Sequence, residues 1–239
     1  MGEIIVVTSG KDGVGKTVIA ANLGVSLAQK GKSVVLLDMN IGSRNLDIRM
    51  GIENNIVYDI ADILSGVCRI KKAMVKDKRF DKLFIISAPQ NKDKMNISNV
   101  HVNALCEELK KVFDYIIIDA PSGSGIGFEQ AISPADKAVI VVIPEYAAIR
   151  DAELINTALK NAGIQDRSVI INKILPQLHS TEFVPDPDEI AQALRLSISG
   201  LIPYDQNIHI SANMGIPIAA FGGNYISDNL KRIAERIII

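Results

Sequence analysis

Glu3-Ile4-Ile5-Val6-Val7-Thr8-Ser9-Gly10-Lys11-Asp12-Gly13-Val14-Gly15-Lys16-Thr17 is the stretch that decides the fold. Its first half is a short run rich in Val and Ile, apolar on both faces, as a strand buried inside a covered sheet requires. Its second half fits G-x-x-x-x-G-K-[ST], and apolar residues recur at helical spacing from Lys16 to Gln29. Strand, glycine-rich turn and helix in that order make a phosphate site. The glycines let backbone N–H groups turn inward around a phosphate. Lys16 brings a point charge to the outer phosphates, and Thr17 can ligate Mg²⁺ through its hydroxyl. The helix N-terminus adds its dipole and free N–H groups. Gly10, Lys11, Asp12, Gly13, Val14, Gly15, Lys16, Thr17 and Val18 are therefore candidate nucleotide contacts. From spacing alone Lys11 has two equal readings, a solvated surface lysine or a group that reaches a phosphate held by a facing subunit.

Moving outward, short Val/Ile-rich runs alternate with helical patterns. Strands are predicted over 3–8, 33–37, 83–87, 115–118, 138–143, 168–171 and 198–202, and helices over 16–29, 100–112, 147–161, 188–194 and 228–237. Such alternation implies right-handed crossovers and an α/β fold, a doubly wound, mostly parallel sheet with helices on both faces. No linker composition divides the chain, so residues 1–239 are expected to form a single domain. Ligands of these sheets sit beyond the carboxyl ends of the strands, so the loops after each strand are where chemistry is sought.

Two of those loops begin with an aspartate. The second predicted strand runs into Asp38-Met39-Asn40, and the fourth ends Ile116-Ile117-Ile118-Asp119-Ala120-Pro121. A carboxylate at a strand end beside a phosphate loop can hold the water shell of Mg²⁺. Asp38 and Asp119, with Thr17, are the candidate metal-site residues, and Asp119 and Pro121 are further candidate nucleotide contacts. The following Ser122-Gly123-Ser124-Gly125-Ile126-Gly127 reads as a flexible loop rich in donors.

These residues resemble the MinD branch of the ParA/MinD ATPases, a P-loop NTPase fold of the SIMIBI type, over essentially the whole chain. Gly10–Thr17 resembles the deviant Walker A motif, whose mark is the early lysine, here Lys11. Asp38–Asp47 resembles the switch segment, and Ser211–Pro217 the closing S-N-x-G-x-P element. The resemblance implies ATP and Mg²⁺ as cofactors and a homodimer that closes on ATP. It implies that Lys11 reaches the partner's nucleotide, that Lys16 and Thr17 bind phosphate and metal, and that Asn172 and Pro203 flank adenine. It also implies a cytoplasmic protein, peripheral at the inner face of the membrane, with an activator of MinE type or a division regulator as partner. A ParA-like DNA-segregation ATPase and a hydrolysis-impaired nucleotide scaffold are the alternatives.

Three departures qualify it. Asn40 stands where the family has a second acidic residue among its catalytic groups (here Lys11, Lys16, Asp38 and Asn40). An amide can hydrogen-bond the attacking water but cannot take its proton. Asp12 stands in place of a glycine. The basic, apolar stretch Asn229–Ile239 is expected to pack on the domain, since one short helix anchors only weakly to a membrane.

Composition excludes other classes. A net charge of −1 gives no field that would coat nucleic acid. No apolar run approaches the roughly 20 residues of a membrane span, and the N-terminus lacks the basic region of a signal peptide. Cys68 and Cys106 have no CxxC partner, so they read as reduced thiols, and no cysteine follows Asp119 to hold an iron–sulfur cluster. His101, His179 and His209 form no spaced metal set. The runs Arg69–Lys72 and Lys76–Arg79 read as solvated basic faces.

Overall fold

A computed structural model describes residues 2–90, 98–178 and 183–239. The elements follow in the order β1 (Glu3–Thr8), α1 (Lys16–Gln29), β2 (Val34–Asp38), α2 (Leu46–Met50), α3 (Ile60–Leu64), α4 (Ile70–Ala73), β3 (Val75–Lys76), β4 (Leu83–Ile86), α5 (Asn99–Lys110) and β5 (Tyr115–Asp119). Then come α6 (Ile126–Ile132), β6 (Lys137–Val142), α7 (Tyr146–Asn161), β7 (Asp166–Ile174), α8 (Pro187–Leu194), β8 (Ser197–Pro203), α9 (Gln206–Asn213) and α10 (Tyr225–Ile237). Among the described residues the strands form one sheet, β3-β4-β2-β5-β1-β6-β7-β8. All pairs are parallel except β3 with β4. His179 lies outside the described residues.

The strands carry apolar residues on both faces because helices cover both. Ile4 and Val6 point into a core shared with α5, α6 and α7, while Ile5 and Val7 point into a second core under α1 and α10. That alternation is the period-2 geometry of a pleated strand. The chain steps from β1 to β2 and β4, returns to β5, and then crosses to β6, β7 and β8. The crevice above the carboxyl ends of β1, β2 and β5 is therefore where the direction of winding changes.

The predicted helices are present with shifted ends. The predicted strands are too, but β3 and five short helices were not foreseen. α2, α3 and α4 have only four or five residues, too few for a helical period to show. The loop expected over Ser122–Gly127 is shorter than that, because α6 begins at Ile126. The C-terminal stretch does pack on the domain. Ile226, Leu230, Ile233 and Ile237 of α10 are buried in the core with α1, and Asn224 caps the helix by accepting from the Ser227 N–H at 2.7 Å.

Candidate nucleotide-binding site

The glycine-rich turn is held in shape by the far side of the sheet. β7 bulges before its end, and Lys173 sits at φ 57°, a left-handed conformation that turns its side chain and that of Asn172 towards the loop. Asn172 Nδ2 donates to the Val14 carbonyl at 2.8 Å, and Lys173 Nζ donates to the Gly13 carbonyl at 2.7 Å. Gly15 has φ 104°, and a Cβ there would lie 2.5 Å from Asn172 Nδ2. Only glycine fits both the conformation and the approach.

Above this turn opens a cavity of about 370 Å³. Asp12, Gly13, Gly15, Lys16, Thr17 and Val18 form its floor. Asn40, with Asn45 and Arg49 of the α2 segment, and Asn172, Pro203 and α9 complete its lining. Beneath the floor, Asp38 and Asp119 stand side by side as register partners on β2 and β5, both without solvent exposure. Asp38 accepts from the Asn40 N–H at 2.8 Å and the Leu46 N–H at 3.3 Å. Among the described residues neither oxygen of Asp119 has a hydrogen-bond partner of ordinary geometry. The Thr17 hydroxyl is nonetheless close enough to lower its pKa.

Burial dominates the electrostatics. It pushes the Asp119 carboxyl up to about 6, against the favourable pull of Thr17 and the Lys16 ammonium. It pushes Asp38 well above the carboxylate range, and the neighbouring charge of Asp119 pushes it further. Burial lowers the Lys16 pKa, which Asp119 and then Asp12 partly restore. A buried carboxylate with two open acceptors beside a hydroxyl is a hard oxygen donor set, the kind that suits Mg²⁺ with its waters. The residues present therefore fit a Mg²⁺ held by Thr17, with Asp38 and Asp119 on its water shell.

Several expected residues lie elsewhere. Gly10 packs on α7, where a Cβ would meet Asp151 backbone at 2.4 Å. Val14 is buried and offers only its carbonyl to Asn172. Pro121 does not line the cavity and packs against Gly127 of α6. Lys11 leaves the cleft and pairs with Glu145 Oε2 at 2.6 Å, before α7. Asp12 projects into solvent with its side chain 87% exposed, yet Oδ1 lies 3.8 Å from Lys16 Nζ and accepts from Ser122 Oγ at 2.5 Å. Its charge thus stands next to incoming phosphates. Asp12→Asn keeps the shape and removes the charge, so a titration of a non-hydrolysable triphosphate at low salt should tighten about three- to tenfold, less as salt rises.

The reading from sequence alone missed α9, although the signal is present. Asp205 caps it by accepting from the Asn207 N–H at 2.7 Å, and Ile208 and Ala212 follow at helical spacing. Asn45, Arg49, Lys173, Tyr204 and His209 have no such mark, because what brings them to the cleft is tertiary packing and not a local spacing.

Residues 2–173 match the family model of an AAA domain. The septum site-determining protein MinD of Bacillus subtilis (strain 168) is 43% identical over 240 residues, covering 100% of this chain and 90% of that one. The chain belongs to the MinD family. The MinC:MinD cell division protein complex of Aquifex aeolicus contains a chain 40% identical to this one, with a TM-score of 0.92 over 99% of this chain and 96% of that one. MinD of Pyrococcus horikoshii OT3, solved as a complex with Mg-ADP, shares the fold at 24% identity, with a TM-score of 0.89 over 99% of this chain and 96% of that one. The cleft is thus that of a MinD-type cell-division ATPase. Asn40 lines it as the expected departure.

Proposed function

We propose that this MinD-family chain works as one domain, a Mg-ATP switch that pairs face to face with a second copy and so helps to place the division machinery. The observation that carries the reading is the buried pair Asp38 and Asp119, the latter with open oxygens, under a phosphate loop whose Lys16 is itself buried. Lys16 and the loop N–H groups hold the phosphates. Asn172 and Pro203 border the adenine. Thr17, with Asp38 and Asp119 on the water shell, would hold Mg²⁺, which would supply charge neutralisation to the phosphates. Asn40 orients the attacking water through its amide but leaves the proton without an acceptor, so turnover is slow. Lys11, outside its own cleft, serves the partner's nucleotide. The setting is the cytoplasm, with peripheral contact at the inner face of the membrane; among the described residues no helix is long and apolar enough to cross one. A division regulator of the MinC type and an activator of the MinE type are the fitting protein partners.

Phosphate release from Mg-ATP tests the reading. Because each site needs its neighbour's lysine, turnover per chain should rise with protein concentration before it levels off. A rate per chain that is independent of concentration contradicts the pairing. Asn40→Asp restores a carboxylate at the water position and should raise turnover about tenfold, which the same assay measures.

A further inference from the structure

The run Lys76-Asp77-Lys78-Arg79 is not a solvated basic face. Lys76 does point outward, to Asp81 at 2.8 Å. The side chain of Asp77 is fully buried, and Arg79 turns its guanidinium in over it. Nε and Nη2 of Arg79 donate to the two Asp77 oxygens at 3.1 and 2.6 Å, and the Arg79 N–H adds a third bond at 2.7 Å. The remaining donors reach two carbonyls far apart in sequence. Nη2 donates to Met50 at 2.8 Å, the last residue of α2, and Nη1 donates to Gly215 at 3.1 Å, in the turn after α9.

α2 and α9 both contribute to the lining of the cleft and pack on each other. Arg49 comes from the first and Ile208, His209 and Ala212 from the second. They meet at their far ends without side chains between them. Gly51 and Gly215 both have positive φ, and a Cβ on Gly51 would lie 2.7 Å from the Gly215 carbonyl oxygen. Arg49 Nη1 also donates to Asn213 Oδ1 at 3.1 Å. The phosphate loop has separate supports in Asn172 and Lys173.

We propose that Arg79 is a positioning residue for the adenosine half of the nucleotide, acting by fastening α2 to α9, and that it has no part in holding the phosphates. The inference rests on the nucleotide reading of the cleft. A planar guanidinium can serve a buried carboxylate and two carbonyls at once. An ammonium on a lysine stem keeps the charge for Asp77 but cannot span all three, so the walls would loosen while the buried acid stays paired.

The test compares two ligands on the full chain, a non-hydrolysable ATP analogue and inorganic tripolyphosphate, each with Mg²⁺. Arg79→Lys should weaken the ATP analogue about tenfold and leave tripolyphosphate within about twofold. Asn213→Ala, an exposed position whose change leaves no buried charge, should shift the ATP analogue two- to threefold in the same direction. Equal weakening of both ligands would overturn the proposal, as would a lower melting temperature with both affinities unchanged. If the parent protein binds neither ligand, the nucleotide reading fails instead.

Discussion

Lys11→Ala should leave the fold intact and triphosphate affinity within a few-fold of the parent, while turnover falls on the order of 1000-fold, as when an arginine finger is removed. Binding survives because Lys11 does not line its own cleft, and among the described residues its charged partner is the exposed Glu145. An exposed pair of that kind contributes at most about 1 kcal/mol, so its loss costs little stability. The split between binding and turnover is what separates a lysine that serves a neighbouring site from one that serves its own. Isothermal titration and phosphate release on the same preparation measure both sides. Affinity falling in step with turnover would place Lys11 on its own nucleotide.

Asp119→Asn should inactivate the protein and stabilise it. The carboxyl is raised to about 6 by burial, above its unfolded value near 3.9. Between those values the folded chain holds a proton that the unfolded chain has released. The contribution of this group is therefore most favourable at low pH and declines as pH rises through that window, with the cost fully present at neutral pH. Asparagine removes that cost and relieves Asp38 of a charged neighbour. At pH 7.5 without nucleotide the variant should melt about 5 °C higher, with the difference closing as pH falls below 4. Phosphate release should drop on the order of 100-fold, since the metal's water shell loses an anchor. A variant that melts lower at pH 7.5, or whose difference does not change with pH, would contradict the assignment of that buried charge. Functional sites often hold such destabilising arrangements, and here the cost is held in place by β2 and β5, whose register sets the two aspartates side by side.

The layered sheet was legible because strands buried on both faces have few alternatives to Val and Ile, and because Gly10–Thr17 matches a motif with a mechanical reason for each residue. The two strand-end aspartates were legible for the same reason. The upper walls of the cleft were not. α2 and α9 are short, and their roles come from tertiary pairing between Gly51 and Gly215, which sequence spacing does not carry. Arg79 is the clearest case. Among lysines it reads as a surface charge, and only the fold brings Asp77, Met50 and Gly215 around it. Lys11 was open on spacing alone. The structure turns it away from its own loop, the direction a lysine must take if it is to serve a facing chain.

Sedimentation velocity of the protein with Mg²⁺, once with ADP and once with a non-hydrolysable ATP analogue, bears most directly on the pairing of two sites around bound triphosphate. A monomer with ADP that becomes a dimer with the analogue is the predicted result. A monomer under both conditions, at concentrations where the analogue saturates the cleft, would contradict it.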